Sequence, residues 1–339
     1  MATSRTTNPT LKDIAKAAGV SVAAVSKVLN NREGVGEDTR QRILTTIDEL
    51  GYNGRAGRDS IVGSATILTL EQYVTNDAFY GEILESVKAA SLRSGLDIGI
   101  SVYRSATDMR VAVEKSTVGG PLMLMGVDQP DIVDAVIDRG LTGVIVNGMD
   151  RSMQLTSVSP DYHFGAALAT QHLISLGHKD ILHVTHPYRE SIRRRIDGFR
   201  NALEEAGIAF NPEQHILDLG APQNISLAAR DIVLQRLKHE PVPTAIFCMN
   251  DMVALGAMQA AQSLGLSVPD DISIVGFDGL SIGEYATPPL TSVQTNRASL
   301  GEIGVSLLVE RINQPTAAVQ RVTTGGKLIV RRSSTTSPR

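Results

Sequence analysis

From Ser64 onward the chain alternates short apolar runs with longer amphipathic ones, and this alternation limits the fold more than any other feature. SATILTL, LDIGISVY, PLMLMGV and TGVIVNGM have the length and residue types of buried strands. AFYGEILESVKAASLRSG and DIVDAVIDRG, which lie between them, carry apolar residues at helical spacing. After Ser159 the pattern restarts, with FGAALATQHLISLGH, DILHVTH, SIRRRIDGFRNALEEAG, HILDL, SLAARDIVLQRLK, TAIFCMN, DMVALGAMQAAQSLG and DISIVGFD in turn. Strands that alternate with helices predict parallel sheets joined by right-handed crossovers. A pattern that starts twice predicts two such sheets in an α/β body, with the chain crossing between them.

The first sixty residues follow a different rule. In TLKDIAKAAGVSVAAVSKVLN, residues Leu11, Ile14, Ala15 and Ala18 share one helical face. Gly19 can take the positive φ that a helix end needs. Ser21 is a good N-cap for a second helix, Val22 to Leu29, with Val25, Val28 and Leu29 inward. Val22, Ala23, Ser26 and Lys27 then face outward. Small apolar, hydroxyl and cationic side chains on a short helix suit a DNA major groove. Thr10 is placed to cap the first helix. A third helix, Glu37 to Leu50, would close an all-α three-helix core with Ile43, Leu44, Ile47 and Leu50. Spacing alone fits an ordinary helical hairpin equally well.

The wording of the stretch carries more than its spacing. DIAxxAGVS, VSxVLN, TRxRI and LGY closely resemble the DNA-binding head of the LacI/GalR family of bacterial repressors. HLISLGHKDILHVT, RRRIDGFRNALEEAG, CMNDMVALGAMQAAQSLGLSVPDDISIVGFDG and PPLTSVQTNRASLGEIGVSLLVERI extend the resemblance over about residues 10 to 335. It implies a helix-turn-helix domain at 1–52 and a hinge at 53–63. Behind these comes a periplasmic-binding-protein-like effector domain. Its N-terminal subdomain takes 64–158 and 293–318, and its C-terminal subdomain 159–292 and 319–335. The ending KLIVRRSSTTSPR is expected to be a last strand and a loose tail.

On DNA, the resemblance implies a homodimer on a pseudo-palindromic operator. Lys27 would contact guanine O6/N7, and Val22 and Ala23 thymine methyls. Ser21, Ser26, Asn30 and Tyr52 would position phosphates, with Thr10 at the same surface. For Tyr52, simple packing is the alternative. The hinge departs from the family. Relatives carry Pro-Asn and then Ala-Arg-x-Leu, a short helix whose leucine wedges into the minor groove. Here Gly54 and Gly57 each disfavour helix by about 1 kcal/mol relative to Ala, and Ile61 takes the leucine position. Arg55 and Arg58 retain the charge to enter a minor groove. Both a hinge helix and a flexible Gly-Arg linker fit this stretch.

Ligands of open parallel sheets lie at the carboxyl ends of strands, and two lobes place those ends around a shared cleft. Phe79 and Tyr80, Asn147, Asp161, Arg195, Asn250 and Asp278 occupy such positions. Each matches a position that contacts effector in the family. Asp251 reads as the cap of the helix after TAIFCMN. Amides, carboxylates, an arginine and aromatic faces suit a small polar effector, a sugar or sugar derivative. Asp161 precedes Tyr162 where the family has Asn, and the chain has no Trp for the stacking wall some relatives use.

Composition narrows the alternatives. Residues 1–60 hold nine Lys/Arg and seven Asp/Glu, a net of +2, in a chain whose net charge is −4. A slightly basic head on an acidic body orients the molecule on DNA. No apolar run approaches a membrane span, and MATSRTTNPT has no hydrophobic segment, so no membrane partner or signal peptide is expected and the location is cytoplasmic. The single cysteine, Cys248, reads as strand packing. Spacing three on a strand sets His183 and His186 on opposite faces, which argues against a metal site. No phosphate loop, GxGxxG or GxSxG occurs, so no catalytic residue or cofactor is expected. Two rival readings, a solute-binding protein and a sugar-modifying enzyme, lack respectively an export signal and a catalytic base.

Overall fold

A computed structural model describes residues 11–29, 34–49, 63–74, 77–115, 117–220 and 225–338. The chain divides into two units, Met1–Ile61 and Val62–Arg339. The first contains α1 (Leu11–Ala18), α2 (Val22–Leu29) and α3 (Glu37–Glu49). Gly19 has φ +66°, and the Val20 N–H reaches back to the Ala15 carbonyl at 2.9 Å, which closes the end of α1. Ile14, Ala15, Ala18, Val25, Val28 and Ile43 form the core. Leu44, expected inward, is 42% exposed, and Thr46 is buried instead, its hydroxyl donating to the Arg42 carbonyl at 2.9 Å. The inward face of α3 is therefore Ile43, Thr46 and Ile47, and Leu44 lies one helical step outside it.

The second unit opens with β1 (Ser64–Leu70), α4 (Glu71–Val74), α5 (Asp77–Arg93), β2 (Asp97–Tyr103) and α6 (Ala106–Glu114). Next come β3 (Leu122–Met125), α7 (Pro130–Asp138), β4 (Gly143–Val146) and β5 (Thr156–Pro160). A second series holds α8 (Tyr162–Ser175), β6 (Ile181–Thr185), α9 (Glu190–Glu205), α10 (Pro212–His215) and β7 (Ile216–Asp218). It continues with α11 (Ile225–Leu237), β8 (Ala245–Cys248), α12 (Asp251–Ser263), β9 (Ser273–Asp278) and β10 (Thr291–Thr295). The chain ends with α13 (Arg297–Asn313), β11 (Arg321–Thr324) and β12 (Gly326–Ile329). No helix among the described residues is long and apolar enough to cross a membrane.

The strands form two six-stranded sheets, in the orders β11-β5-β4-β3-β1-β2 and β12-β10-β9-β8-β6-β7. The first sheet is parallel throughout. In the second only β12 runs antiparallel, against β10. Its direction follows from the path of the chain. β11 runs toward the carboxyl edge of the first sheet, and Gly325 alone separates it from β12. A strand that passes straight from one carboxyl edge into the facing one must run against its new neighbours. Helices α5 and α13 cover one face of the first sheet, through Ile83, Val87, Leu300 and Leu308. Cys248 is fully buried in the second sheet.

The chain passes between lobes after Pro160, Thr295 and Thr324. Two boundaries thus differ from the sequence reading. β10 pairs with β9 in the second sheet, so the return crossing follows Thr295 rather than Val293. β11 pairs with β5 in the first sheet, although 319–335 was assigned to the second subdomain. Strand partners are non-local, and short hydroxyl-rich strands such as RVTT carry no mark of their sheet. The tail is also more ordered than expected. The Ser333 carbonyl accepts from Ile274 N–H at 2.7 Å, Thr335 N–H donates to Ser273 Oγ at 3.0 Å, and Ser337 N–H to the Leu176 carbonyl at 2.8 Å. Its serines and threonines supply the hydrogen bonds that replace a missing apolar face.

Candidate effector cleft and nucleic-acid interface

The carboxyl ends of both sheets converge on one polar cluster. Asn147, the residue after β4, has φ +59°, a conformation asparagine tolerates better than most residues. That turn aims its amide across the lobes. Nδ2 donates to the Tyr80 hydroxyl of α5 at 3.0 Å, and Oδ1 accepts from the Tyr162 hydroxyl of α8 at 2.6 Å. Burial pushes the Tyr80 phenol up to about 12 and Tyr162 also upward, so both hydroxyls keep their protons; Tyr162 donates its own to Asn147, and Tyr80 accepts from the same amide. Arg189, just before α9, donates from Nη2 to the Asn147 carbonyl at 3.2 Å. Its Nε lies 3.5 Å from the buried Asp128, and its guanidinium sits 5.2 Å over the Tyr73 ring.

A second cluster forms around Asp278, which ends β9 at φ +103°. Arg195 Nη2 lies 3.3 Å from its carboxylate, with the guanidinium 4.2 Å over Phe277 and 4.8 Å over Tyr162. Arg297, at the start of α13, donates to the Asp278 carbonyl at 2.5 Å and to Glu82 of α5 at 2.8 Å. Burial holds the Asp278 carboxyl up at about 6 against the pull of Arg195 and Arg297. Asp251, fully buried, is pushed to about 7, first by burial and then by repulsion from Asp278.

Of the positions expected at the cleft, Tyr80, Asn147, Arg195 and Asp278 come together across it. Phe79 is buried beside them, but its ring faces Arg297 and the Tyr80 edge. Tyr80 packs on Tyr73, with ring centroids 4.9 Å apart. Asp161 and Asn250 stand at strand ends as helix caps. Asp161 Oδ1 accepts the Phe164 N–H at 3.0 Å, and Asn250 Oδ1 the Val253 N–H at 2.8 Å. Asn250 therefore holds the cap expected of Asp251. An N-cap needs extended backbone, and Asn250 has φ −155° and ψ 171°. Asp251 instead accepts from Leu280 N–H and Ser292 Oγ, both at 2.5 Å, and so fixes the turn that follows Asp278.

Tyr73, Asp128, Tyr162, Arg189 and Arg297 were missed. Tyr162 alone had a signal, as the residue standing where the family has Asn. Ten buried side-chain atoms among the described residues have no hydrogen-bond partner. Seven of them lie at strand ends or the start of α9: on Asp128, Ser159, Thr185, Arg189, Glu190, Arg195 and Thr324. Unmet buried donors and acceptors are costly, so their concentration here marks a surface built for a polar ligand.

In the head, Ser21 Oγ accepts the Ala24 N–H at 3.1 Å. Val22 is 41% exposed, and Lys27 is also exposed. Lys27 Nζ lies beside Gly34, where an added Cβ would stand 3.2 Å away. Thr10, Asn30, Tyr52, Arg55, Arg58 and Ile61 fall outside the described residues, as do the side chains of Ala23 and Ser26.

The chain is similar in sequence and fold to known regulatory proteins. The family model for bacterial regulatory proteins of the lacI family matches residues 10–54, and that for a periplasmic binding protein-like domain residues 170–334. The HTH-type transcriptional repressor PurR of Vibrio campbellii is 32% identical, over 89% of this chain and 92% of its own. PurR of Haemophilus influenzae is 31% identical, over 96% and 98%. Among solved structures, the transcriptional regulator CelR–cellobiose complex superposes with a TM-score of 0.72 at 27% identity, covering 96% of this chain and 100% of its own. The lac repressor dimer bound to operator and the anti-inducer ONPF gives 0.71 at 26%, covering 97% and 100%. With a helix-turn-helix head, a two-lobed body and relatives matched along nearly their whole length, the chain belongs to the LacI family of bacterial regulatory proteins and is a DNA-binding, ligand-responsive transcriptional repressor rather than an enzyme.

Proposed function

We propose that the protein is a cytoplasmic homodimer that represses carbohydrate-utilisation genes, under control of a sugar or sugar derivative held between the lobes. The observation that carries this reading is the interlobe cluster of Tyr80, Asn147, Tyr162, Arg195 and Asp278, with unmet polar atoms around it. Phenols and guanidinium forks donate, carboxylates and the amide oxygen accept, and together they suit a ligand dense in hydroxyls. The named cellobiose complex among similar structures supports a sugar, and the named lac repressor dimer supports two copies. Leu92 of α5 and Ile100 and Val102 of the edge strand β2 are 75%, 51% and 48% exposed, apolar side chains that a second copy would cover.

Because the cluster's hydrogen bonds join the two lobes, a ligand that inserts there changes their relative arrangement. Coupling to DNA requires that the ligand bind two arrangements with different affinity. On the operator, α2 enters the major groove, with Lys27 on a guanine and Val22 and Ala23 against thymine methyls. Ser21, Ser26, Asn30 and Tyr52 hold phosphates, while Arg55, Arg58 and Ile61 lie toward the minor groove. Gel shifts on a panel of single-mismatch operators test the assignment. Lys27→Ala is expected to cost about 1–3 kcal/mol and to lose discrimination at one base pair of each half-site. A uniform loss on every sequence would refute it. A thermal-shift screen of sugars, polyols and sugar acids tests the effector class, since a ligand at 100 times its Kd stabilises by about 2.7 kcal/mol. Silence from every hydroxylated compound would remove the sugar reading.

A further inference from the structure

A cavity of about 470 Å³ opens beside the crossing segments, lined by Arg151, Asp161, Glu190, Arg194, Arg321 and Thr323. The Tyr162 ring forms part of its wall, but Tyr80, Asn147, Arg195 and Asp278 do not. It adjoins the cluster described above and, of that cluster's five residues, shares Tyr162 alone. Its volume falls in the range of small-ligand pockets.

The charges in this compartment are not balanced internally. Arg151 Nε, on an exposed side chain, and Arg193 Nη1 lie 2.9 and 3.8 Å from Glu190 Oε2, yet that oxygen has no partner with hydrogen-bond geometry and its side chain is nine-tenths buried. Arg321 donates to the Asp150 carbonyl at 2.5 Å and has no carboxylate partner among the described residues. Arg194 makes no hydrogen bond or ion pair with any described residue. Three guanidinium groups therefore face two carboxylates, one of which also caps α8. Guanidinium forks match the oxygens of a phosphate monoester. Asp161, Glu190 and Thr323 are placed to receive or offer hydrogen bonds to alcohol groups.

We propose that this crossover cavity is a second ligand site, for a phosphorylated polyhydroxy compound. Arg151, Arg321 and Thr323 belong to the first lobe, whereas Glu190 and Arg194 belong to the second. A ligand there ties the lobes together next to the segments about which they move, and so acts on the same equilibrium as the cleft effector.

The test is titration calorimetry on the full chain with glucose 6-phosphate, ribose 5-phosphate, the matching free sugars and inorganic phosphate. At least one phosphate ester is expected to saturate, more tightly than its free sugar or inorganic phosphate. Arg194→Ala and Arg321→Ala are each expected to weaken that ester roughly tenfold to a hundredfold, the range for a lost hydrogen bond to a charged group. Arg200→Ala, at an exposed arginine of α9 outside both the cavity and the cluster, is expected to leave ester binding within about twofold of the parent, a free-energy change below roughly 0.5 kcal/mol. Should Arg194→Ala fail to fold, Arg194→Lys replaces it with a smaller change. No saturation by any ester, equal binding of inorganic phosphate, or ester binding that Arg194→Ala and Arg321→Ala both leave unchanged would each overturn the site. Saturation by a free sugar that Arg194→Ala leaves unchanged reports the central cleft and not this site.

Discussion

Arg195→Met is expected to abolish the effector response and to destabilise the body by about 3–5 kcal/mol. The Arg195 and Asp278 side chains are 6% and 10% exposed, so removing the cation leaves a carboxylate buried without its partner. Methionine keeps the contact with Phe277 and Tyr162 but not the charge. The deficit should depend on pH in a defined direction. The Asp278 carboxyl is already held at about 6, above its ordinary value, so the folded state binds its proton more readily than the unfolded chain does. A group of this kind contributes stability at low pH that is lost as pH rises through the folded value. Without Arg195 the folded value rises further. The gap between parent and variant should therefore be widest near pH 8 and shrink below pH 6. Denaturant melts at both pH values check this, and a deficit that grows toward acid would contradict the assigned pair.

Gly198→Ala should also have a large effect, although the residue touches neither ligand nor DNA. Gly198 lies in α9 against α8, where an added Cβ would stand 2.9 Å from the His163 carbonyl carbon and 3.0 Å from its Cα. Those are backbone atoms, so no side-chain rotation relieves the overlap. Alanine improves helix propensity by about 1 kcal/mol, but overpacking of this kind costs about 1–3 kcal/mol, and α9 must shift. That helix carries Arg195, and α8 carries Tyr162, whose ring lies under the guanidinium. A lower Tm with weakened effector binding is the expected pair of results. A variant with parental Tm and effector affinity would show that the two helices do not fix the cleft.

The parts of this molecule that could be read from its residues are the local ones. Gly19 ends a helix, Ser21 starts another, and apolar runs alternate with amphipathic ones, because each depends on neighbours a few positions away. Asn147, Asp278 and Tyr80 were legible because strand ends face the cleft in any fold of this class. Arg297 was not, because its partner Glu82 lies 215 residues away and only the third dimension brings them together. The same reason hid Arg189, which meets Asp128 and Asn147 from the opposite lobe. The placements of β10 and β11 required strand pairing, which no single run of residues encodes. Asn250 takes the cap expected of Asp251 because the two adjacent residues are both good caps and backbone geometry decides between them.

Selection of bound duplexes from a random-sequence pool, followed by sequencing, most directly tests whether α2 reads bases as one half of a dimer. The parent chain should enrich a pseudo-palindrome whose half-sites are about one helical turn apart, or a multiple of it. With Lys27→Ala, the same pool should yield that palindrome with preference relaxed at one symmetric pair of positions. A parent chain that enriches no palindrome, or a variant whose selected sequences match the parent's at every position, would contradict the account.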